Sequence, residues 1–140
     1  MNRVIAKTID IAYELFDSAF AERKRSQVFH FATLSRRNKI LAIGQNHVST
    51  PSPKATYFAK RFGTPKKVEY PYIHAEIDCI SKLWGRYHID NSLTMVVVRL
   101  NRFGEFSMSK PCSDCKTVLD SLGLKKVFWT TKDGLCLSSM

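Results

Sequence analysis

Apolar positions recur at helical spacing from about residue 3 to residue 22. Ile5, Ile9, Ala12, Phe16, Ala19 and Phe20 fall three or four apart, or beside such a position. The stripe ends in the polar, basic stretch Glu22–Arg25, so residues 1–26 read as an N-terminal helix and a basic link. Gln27–Thr33 is rich in β-branched and aromatic residues, Ser35–Asn38 is polar, and Lys39–Gly44 is a second short apolar run. Together they predict a β-hairpin. Residues 45–72 show little periodicity and are punctuated by Pro51, Pro53, Gly63, Pro65 and Pro71. They read as a lid-like loop with room for a short helix over Thr56–Arg61.

Beyond the lid the pattern sharpens. Ile73, Ile77, Ile80, Trp84 and Tyr87 form an apolar stripe that predicts a helix over His74–Tyr87. Leu93–Leu100 is nearly all apolar, as expected of a strand buried on both faces. Phe103–Met108 reads as an irregular arm. Pro111 opens the next predicted helix, with Cys112, Cys115, Val118, Leu119 and Leu122 on one face and Gly123 as terminator. Val127–Thr131 and Leu135–Ser138 read as strands joined by the turn Lys132–Gly134. The order α-β-β-(lid)-α-β-α-β-β predicts a single layered α/β domain over residues 1–140, built around one mixed sheet.

Length and composition agree with this. The chain has 140 residues, 44% hydrophobic and 24% charged, which suits one globular domain and excludes collagen-like and broadly disordered classes. No apolar run approaches the ~18–20 residues that span a bilayer, so no membrane is expected as partner. Lys7, Asp10 and Glu14 interrupt the N-terminus, which therefore lacks the apolar core of a signal peptide; a cytoplasmic address is the expectation. The balance is strongly basic, 22 Lys+Arg against 12 Asp+Glu for a net charge of +10, and favours anionic partners such as nucleotides or nucleic acid. In the lid, Lys54, Lys60, Arg61, Lys66 and Lys67 interleave with Tyr57, Phe58, Phe62, Tyr70 and Tyr72. That segment is open to three readings: a solvated loop, a clamp for a nucleotide phosphate, or a track for single-stranded nucleic acid.

Two motifs carry chemistry. His74-Ala75-Glu76 and Pro111-Cys112-Ser113-Asp114-Cys115 each open a predicted helix. Chance yields both in this order in well under about one such chain in a thousand. Zn²⁺ takes imidazole nitrogen and thiolate sulfur in tetrahedral geometry, and His74, Cys112 and Cys115 supply three ligands while leaving the fourth position to water. A helix N-terminus favours thiolate, which suits Cys112 and Cys115. Zinc in such a set makes hydroxide available near neutral pH. Glu76, in the first turn after His74, is placed to move protons. The implied reaction is hydrolytic loss of ammonia from an amino-substituted ring, a cyclic amidine. The rival reading of Cys112 and Cys115 is a redox dithiol, which the accompanying His74 and Glu76 disfavour. His30 reads as a satisfied core histidine, His88 as a cap for helix-end carbonyls, and His47 as open between surface and substrate. Cys79 and Cys136 read as small buried hydrophobes, and Trp84 and Trp129 as core.

The pattern H-x-E…P-C-x-x-C resembles that of the cytidine/deoxycytidylate deaminase superfamily of zinc hydrolases. The resemblance spans roughly residues 27–137, fully in the two motifs and elsewhere in the order of elements. It implies a cytidine deaminase-like three-layer α/β/α domain with a mixed five-stranded sheet. It further implies Zn²⁺ on His74, Cys112 and Cys115, proton transfer by Glu76, and the Ala75 N–H facing the base carbonyl. Gly44-Gln45-Asn46 is similar to the family's Gly-x-Asn turn, which implies Asn46 on the sugar or base edge, and Ser109 would offer its carbonyl to the exocyclic amine. The Asp133-Gly134 turn suggests an antiparallel last strand, as in the free-nucleoside branch, although that branch normally has Cys where this chain has His74. The family also implies a homo-oligomer. A small cytosine nucleotide or nucleoside is thus the expected substrate. The alternatives are a deaminase of single-stranded DNA or RNA acting on cytosine or adenine, and a catalytically silent module that binds zinc or nucleic acid.

Overall fold

The computed structural model describes residues 3–19, 29–46, 53–63 and 74–139, with the side chains of residues 18–19 and 135–139 outside that description. The elements run α1 (Arg3–Ala19), β1 (Phe29–Arg36), β2 (Lys39–Gln45), α2 (Pro53–Phe62), α3 (Ala75–Leu83), β3 (Leu93–Leu100), α4 (Ser113–Ser121), β4 (Lys126–Thr131) and β5 (Gly134–Ser139). The α/β class read from the sequence is the one observed.

The strands lie in the order β2-β1-β3-β4-β5. β1 pairs antiparallel with both β2 and β3, while β3 and β4 are parallel and connected through α4. The mixed four-stranded part β2-β1-β3-β4 carries every described strand side chain. β5 returns antiparallel beside β4, which settles the direction of the last strand.

Alternation along the strands separates two cores. Phe29, Phe31, Val96, Val98 and Leu100 face α1 and pack with its Val4, Ile5, Ala12 and Phe16. Ala32, Leu34, Met95, Val97, Val127 and Trp129 face the other way and pack with α2, α3 and α4. β3 is therefore apolar almost throughout because it is covered on both faces. The α1 face also holds a buried hydroxyl pair, Thr8 Oγ1 and Thr33 Oγ1, 2.8 Å apart.

Several expected boundaries shift. The polar break read over Ser35–Asn38 shrinks to Arg37 and Asn38, with Arg37 at φ 57°, because Ser35 is buried within β1. The helix read to Tyr87 stops at Leu83, where Gly85 at φ 80° turns the chain out. His88 consequently lies beyond the helix end with its ring exposed, 3.7 Å from Asp90, and does not cap it. Pro111 precedes the start of α4 rather than opening it, because Cys112 takes the N-cap and its sulfur accepts the Cys115 N–H. Gly123, at φ 77°, ends α4 as expected: its N–H reaches the Asp120 carbonyl and Leu124 N–H reaches that of Leu119.

The lid expectation is corrected where residues are described. Residues 53–63 form α2 and its turn, so the short helix read over Thr56–Arg61 is present and extends to ten residues. Ala55, Phe58, Ala59 and Phe62 have the i, i+3, i+4, i+7 spacing of one helix face, and they pack onto α3 and α4 around Trp84. Lid residues 47–52 and 64–72, including His47, Lys66, Lys67, Tyr70 and Tyr72, lie outside the described residues, as does Phe20.

α3 sits unusually close to β2. A Cβ on Gly44 would overlap the Ala75 carbonyl oxygen and come within 2.5 Å of the Cys79 nitrogen. Gly44→Ala must push α3 off the sheet, and the expected loss is about 1–3 kcal/mol of stability by denaturant unfolding; an unchanged midpoint would show that α3 is not held there.

Candidate metal centre

Two helix N-termini meet at this centre. His74 is the N-cap of α3 with extended backbone (φ −84°, ψ 159°), and its side chain makes no capping bond. Cys112 is the N-cap of α4 in the same backbone region (φ −67°, ψ 168°), and Cys115 stands one turn further on. His74 Nδ1 lies 3.6 Å from Cys112 Sγ and 3.5 Å from Cys115 Sγ. One ligand atom from each residue falls within 4.8 Å of the others, a group positioned to bind a metal ion. Cys115 is buried and Cys112 exposed.

The donor set fits zinc. One imidazole and two thiols form the mixed N/S set that zinc prefers, with three protein ligands rather than four. Electrostatics already favours the ligating form of Cys112. Hydrogen bonds from Cys115 and from His74 hold its thiol down to about 3, against the opposing effect of burial. The contrast is Cys79, a fully buried thiol against the Ala42 carbonyl, whose pKa burial pushes up. It behaves as the expected small hydrophobe.

Glu76 stands in the first turn of α3 with a side chain that is 0% exposed. Neither carboxylate oxygen has a hydrogen-bond partner among the described residues. His30 Nε2 lies 3.4 Å from Oε1. The His30 ring also faces His74, with ring centroids 6.2 Å apart. The expectation of a satisfied core histidine fails, because Nε2 has no hydrogen-bond partner among the described residues. Burial lowers the His30 pKa, with the Glu76 charge opposing.

The other expected site residues fall nearby with clear anchoring. Asn46 is tied to His30 on both sides: its Oδ1 accepts the His30 N–H (3.0 Å), and its own N–H donates to the His30 carbonyl (3.1 Å). Ala75 is fully buried at the start of α3. Ser109 is buried and bound to β3 and β4: Oγ donates to the Val97 carbonyl (2.8 Å) and accepts the Thr130 N–H (2.7 Å). Trp129 is buried as expected, beneath Lys110.

Sequence reading missed Asp78 as well as the His30–Glu76 contact. Asp78 Oδ2 accepts the Gln45 N–H at 3.0 Å and lies 3.5 Å from Lys82 Nζ, fastening α3 to the end of β2 just before Asn46. Its i, i+4 spacing to Lys82 was the available signal.

The family model for the cytidine and deoxycytidylate deaminase zinc-binding region matches residues 5–131, and the chain belongs to that family. No curated protein is significantly similar to it. Among solved structures, a dCMP deaminase from the cyanophage S-TIM5 superposes with a TM-score of 0.50 at 19% identity, covering 89% of this chain and 83% of the other. A cytidine deaminase from Burkholderia pseudomallei gives 0.53 at 14% identity, covering 93% and 91%. Both likenesses are of fold.

Purified chain is expected to carry close to one zinc per protomer by elemental analysis. Cys115→Ser should weaken binding by at least about tenfold, since it replaces a thiolate by a poor donor inside the set. Equal zinc content in wild type and Cys115→Ser would remove Cys115 from the centre.

Proposed function

We propose that the chain is a zinc-dependent hydrolytic deaminase that converts a cytosine nucleoside or nucleotide to its uracil counterpart with release of ammonia. The observation that carries this reading is the convergence of His74, Cys112 and Cys115, with the buried, unpartnered carboxylate of Glu76 beside them. His74, Cys112 and Cys115 would hold the ion, which supplies Lewis acidity and a water ionisable near neutral pH.

Glu76 accepts the proton that the attacking water loses and passes it to the ring nitrogen, while the new C–O bond forms at the amino-bearing carbon. It then carries the proton of the resulting hydroxyl to the amino group. The C–N bond breaks, ammonia leaves, and the ring keeps a carbonyl. A carboxylate with no competing hydrogen bond suits a group that must take and return protons. Ala75 offers a first-turn N–H of α3, which lacks an intrahelical acceptor, to the base carbonyl. Asn46 addresses the sugar or base edge, and the Ser109 carbonyl the exocyclic amine. The bonds that fix the backbones of both residues support these roles. The reading takes residues 1–140 as one domain, working in the cytoplasm as a homo-oligomer.

Ammonia release from cytidine, deoxycytidine and their monophosphates tests the proposal. Glu76→Gln should lower kcat by about 10²–10⁴-fold while zinc content stays at the wild-type level. No turnover on any of the four by zinc-loaded wild type removes the small-substrate reading. A variant as active as an active wild type removes the role of Glu76, whereas no activity in either on any substrate favours a silent zinc module.

A second reading, a deaminase of single-stranded nucleic acid, is favoured by the surface along β2. A cavity of about 680 Å³ there is lined by Lys54, Lys82, Trp84 and Arg86, and one of about 440 Å³ by Arg36, Arg37, Lys39 and Tyr87. Leu41 borders both. A strand engaging four to six of these cations should lose affinity by about 10²–10³-fold between 50 mM and 200 mM salt, read by fluorescence anisotropy of a labelled oligonucleotide. Binding indifferent to salt would discard it.

A further inference from the structure

We propose that His30 is a positioning residue for Glu76: its imidazole Nε2–H holds one carboxylate oxygen and leaves the other to the reacting atoms. The inference rests on the deaminase reading and deepens it, because a group that shuttles protons needs one oxygen presented in a fixed direction.

Three observations support it. First, a fully buried carboxylate without hydrogen bonds is costly, and the side chain nearest to relieving it is the imidazole 3.4 Å away. Both partners are otherwise orphaned: the two oxygens of Glu76 and the Nε2 of His30 are the buried side-chain polar atoms without a hydrogen bond among the described residues. The 3.4 Å separation is about half an ångström longer than a charge-assisted hydrogen bond, and no other side-chain partner competes for these atoms among the described residues.

Second, the imidazole is carried by rigid backbone. β1 is paired on both sides, and the His30 N–H and carbonyl are both taken by Asn46. A ring swung from such a strand sets the direction of Glu76 more firmly than a loop residue would. Third, His30 is not one of the three residues whose ligand atoms cluster, so its ring stands beside the centre without joining the donor set.

The test combines kinetics with a measurement that needs neither metal nor substrate. In zinc-loaded protein, His30→Ala is expected to lower kcat about 10–100-fold with KM changed less than about twofold and zinc content intact. His30→Gln, which keeps an N–H donor, should recover most of the loss. A raised KM with unchanged kcat would instead make His30 a substrate contact and overturn the proposal.

In metal-free protein, urea unfolding of wild type, His30→Ala, Glu76→Gln and the double variant forms a cycle. If the side chains interact, their effects on the unfolding constant depart from simple multiplication by at least about fivefold. Multiplicative effects overturn the proposal whatever the activity. His30→Leu replaces alanine in the cycle should the alanine chain not fold. If wild type deaminates nothing, the deaminase reading falls, and the metal-free cycle by itself still decides whether His30 holds Glu76.

Discussion

The seating of α3 on β2 is the constraint from which the rest of the centre follows. Gly44 removes the side chain that would keep the helix away. Asp78 accepts the Gln45 N–H, Lys82 donates to the Ile43 carbonyl, and the Cys79 thiol rests on the Ala42 carbonyl, so contacts from two successive turns fix the helix axis. Only then do His74 and Glu76, at the first turn, come level with β1 and meet His30. The second helix is fixed independently. Ser109 is bound to both β3 and β4, and after Lys110 and Pro111 the chain reaches Cys112, the N-cap of α4. The imidazole and the two sulfurs are 38 and 41 residues apart in sequence, and the sheet holds them within bonding range of one another. The sheet and the two helices seated on it thus close the loop between the ligands that the chain separates in sequence.

Charge explains why such a centre tolerates a buried carboxylate. Two helix N-termini point their unpaired N–H groups into one small volume, and each favours negative charge. Cys112 is held as thiolate there. A divalent cation held by one imidazole and two thiolates would be formally neutral. Metal binding and folding would then be linked, because only the folded chain brings the three ligands together.

Much of this was readable in the chain because the chemistry depends on residue identity. His74, Cys112 and Cys115 sit where their spacing and helix-opening positions placed them, and β3 is buried on both faces as its unbroken apolar run required. Misreadings arose where a local signal was overruled by a partner far away in sequence. α2 was read short, over Thr56–Arg61 only, because prolines and lysines surround it, yet Ala55, Phe58, Ala59 and Phe62 already carried a longer helix face, completed by Trp84 at the end of α3. His88 was assigned a capping role from proximity in sequence, but Gly85 had already ended the helix. His30 could not be read as an active-site neighbour at all. Nothing local distinguishes a strand histidine packed in a core from one that faces a carboxylate 46 positions away; that depends on the register of β1 against the seat of α3.

The described half of the lid also reallocates the positive charge. Lys60 and Arg61 lie in the last turn of α2, where cations complement the helix dipole, and the Arg61 guanidinium stands 5.5 Å from the centre of the Trp84 ring. Both therefore have a structural reason to be basic that owes nothing to a phosphate. Lys54 faces a different space, the cavity beside β2 that it shares with Lys82 and Arg86. Lys82 is in turn committed in part to Asp78 and the Ile43 carbonyl. Of the described lid cations, Lys60 and Arg61 thus belong to the last turn of α2, and Lys54 joins Lys82 and Arg86 beside β2, the strand that ends at Gln45 just before Asn46. That strand leads directly to the residue that anchors His30, since Asn46 Oδ1 accepts the His30 N–H.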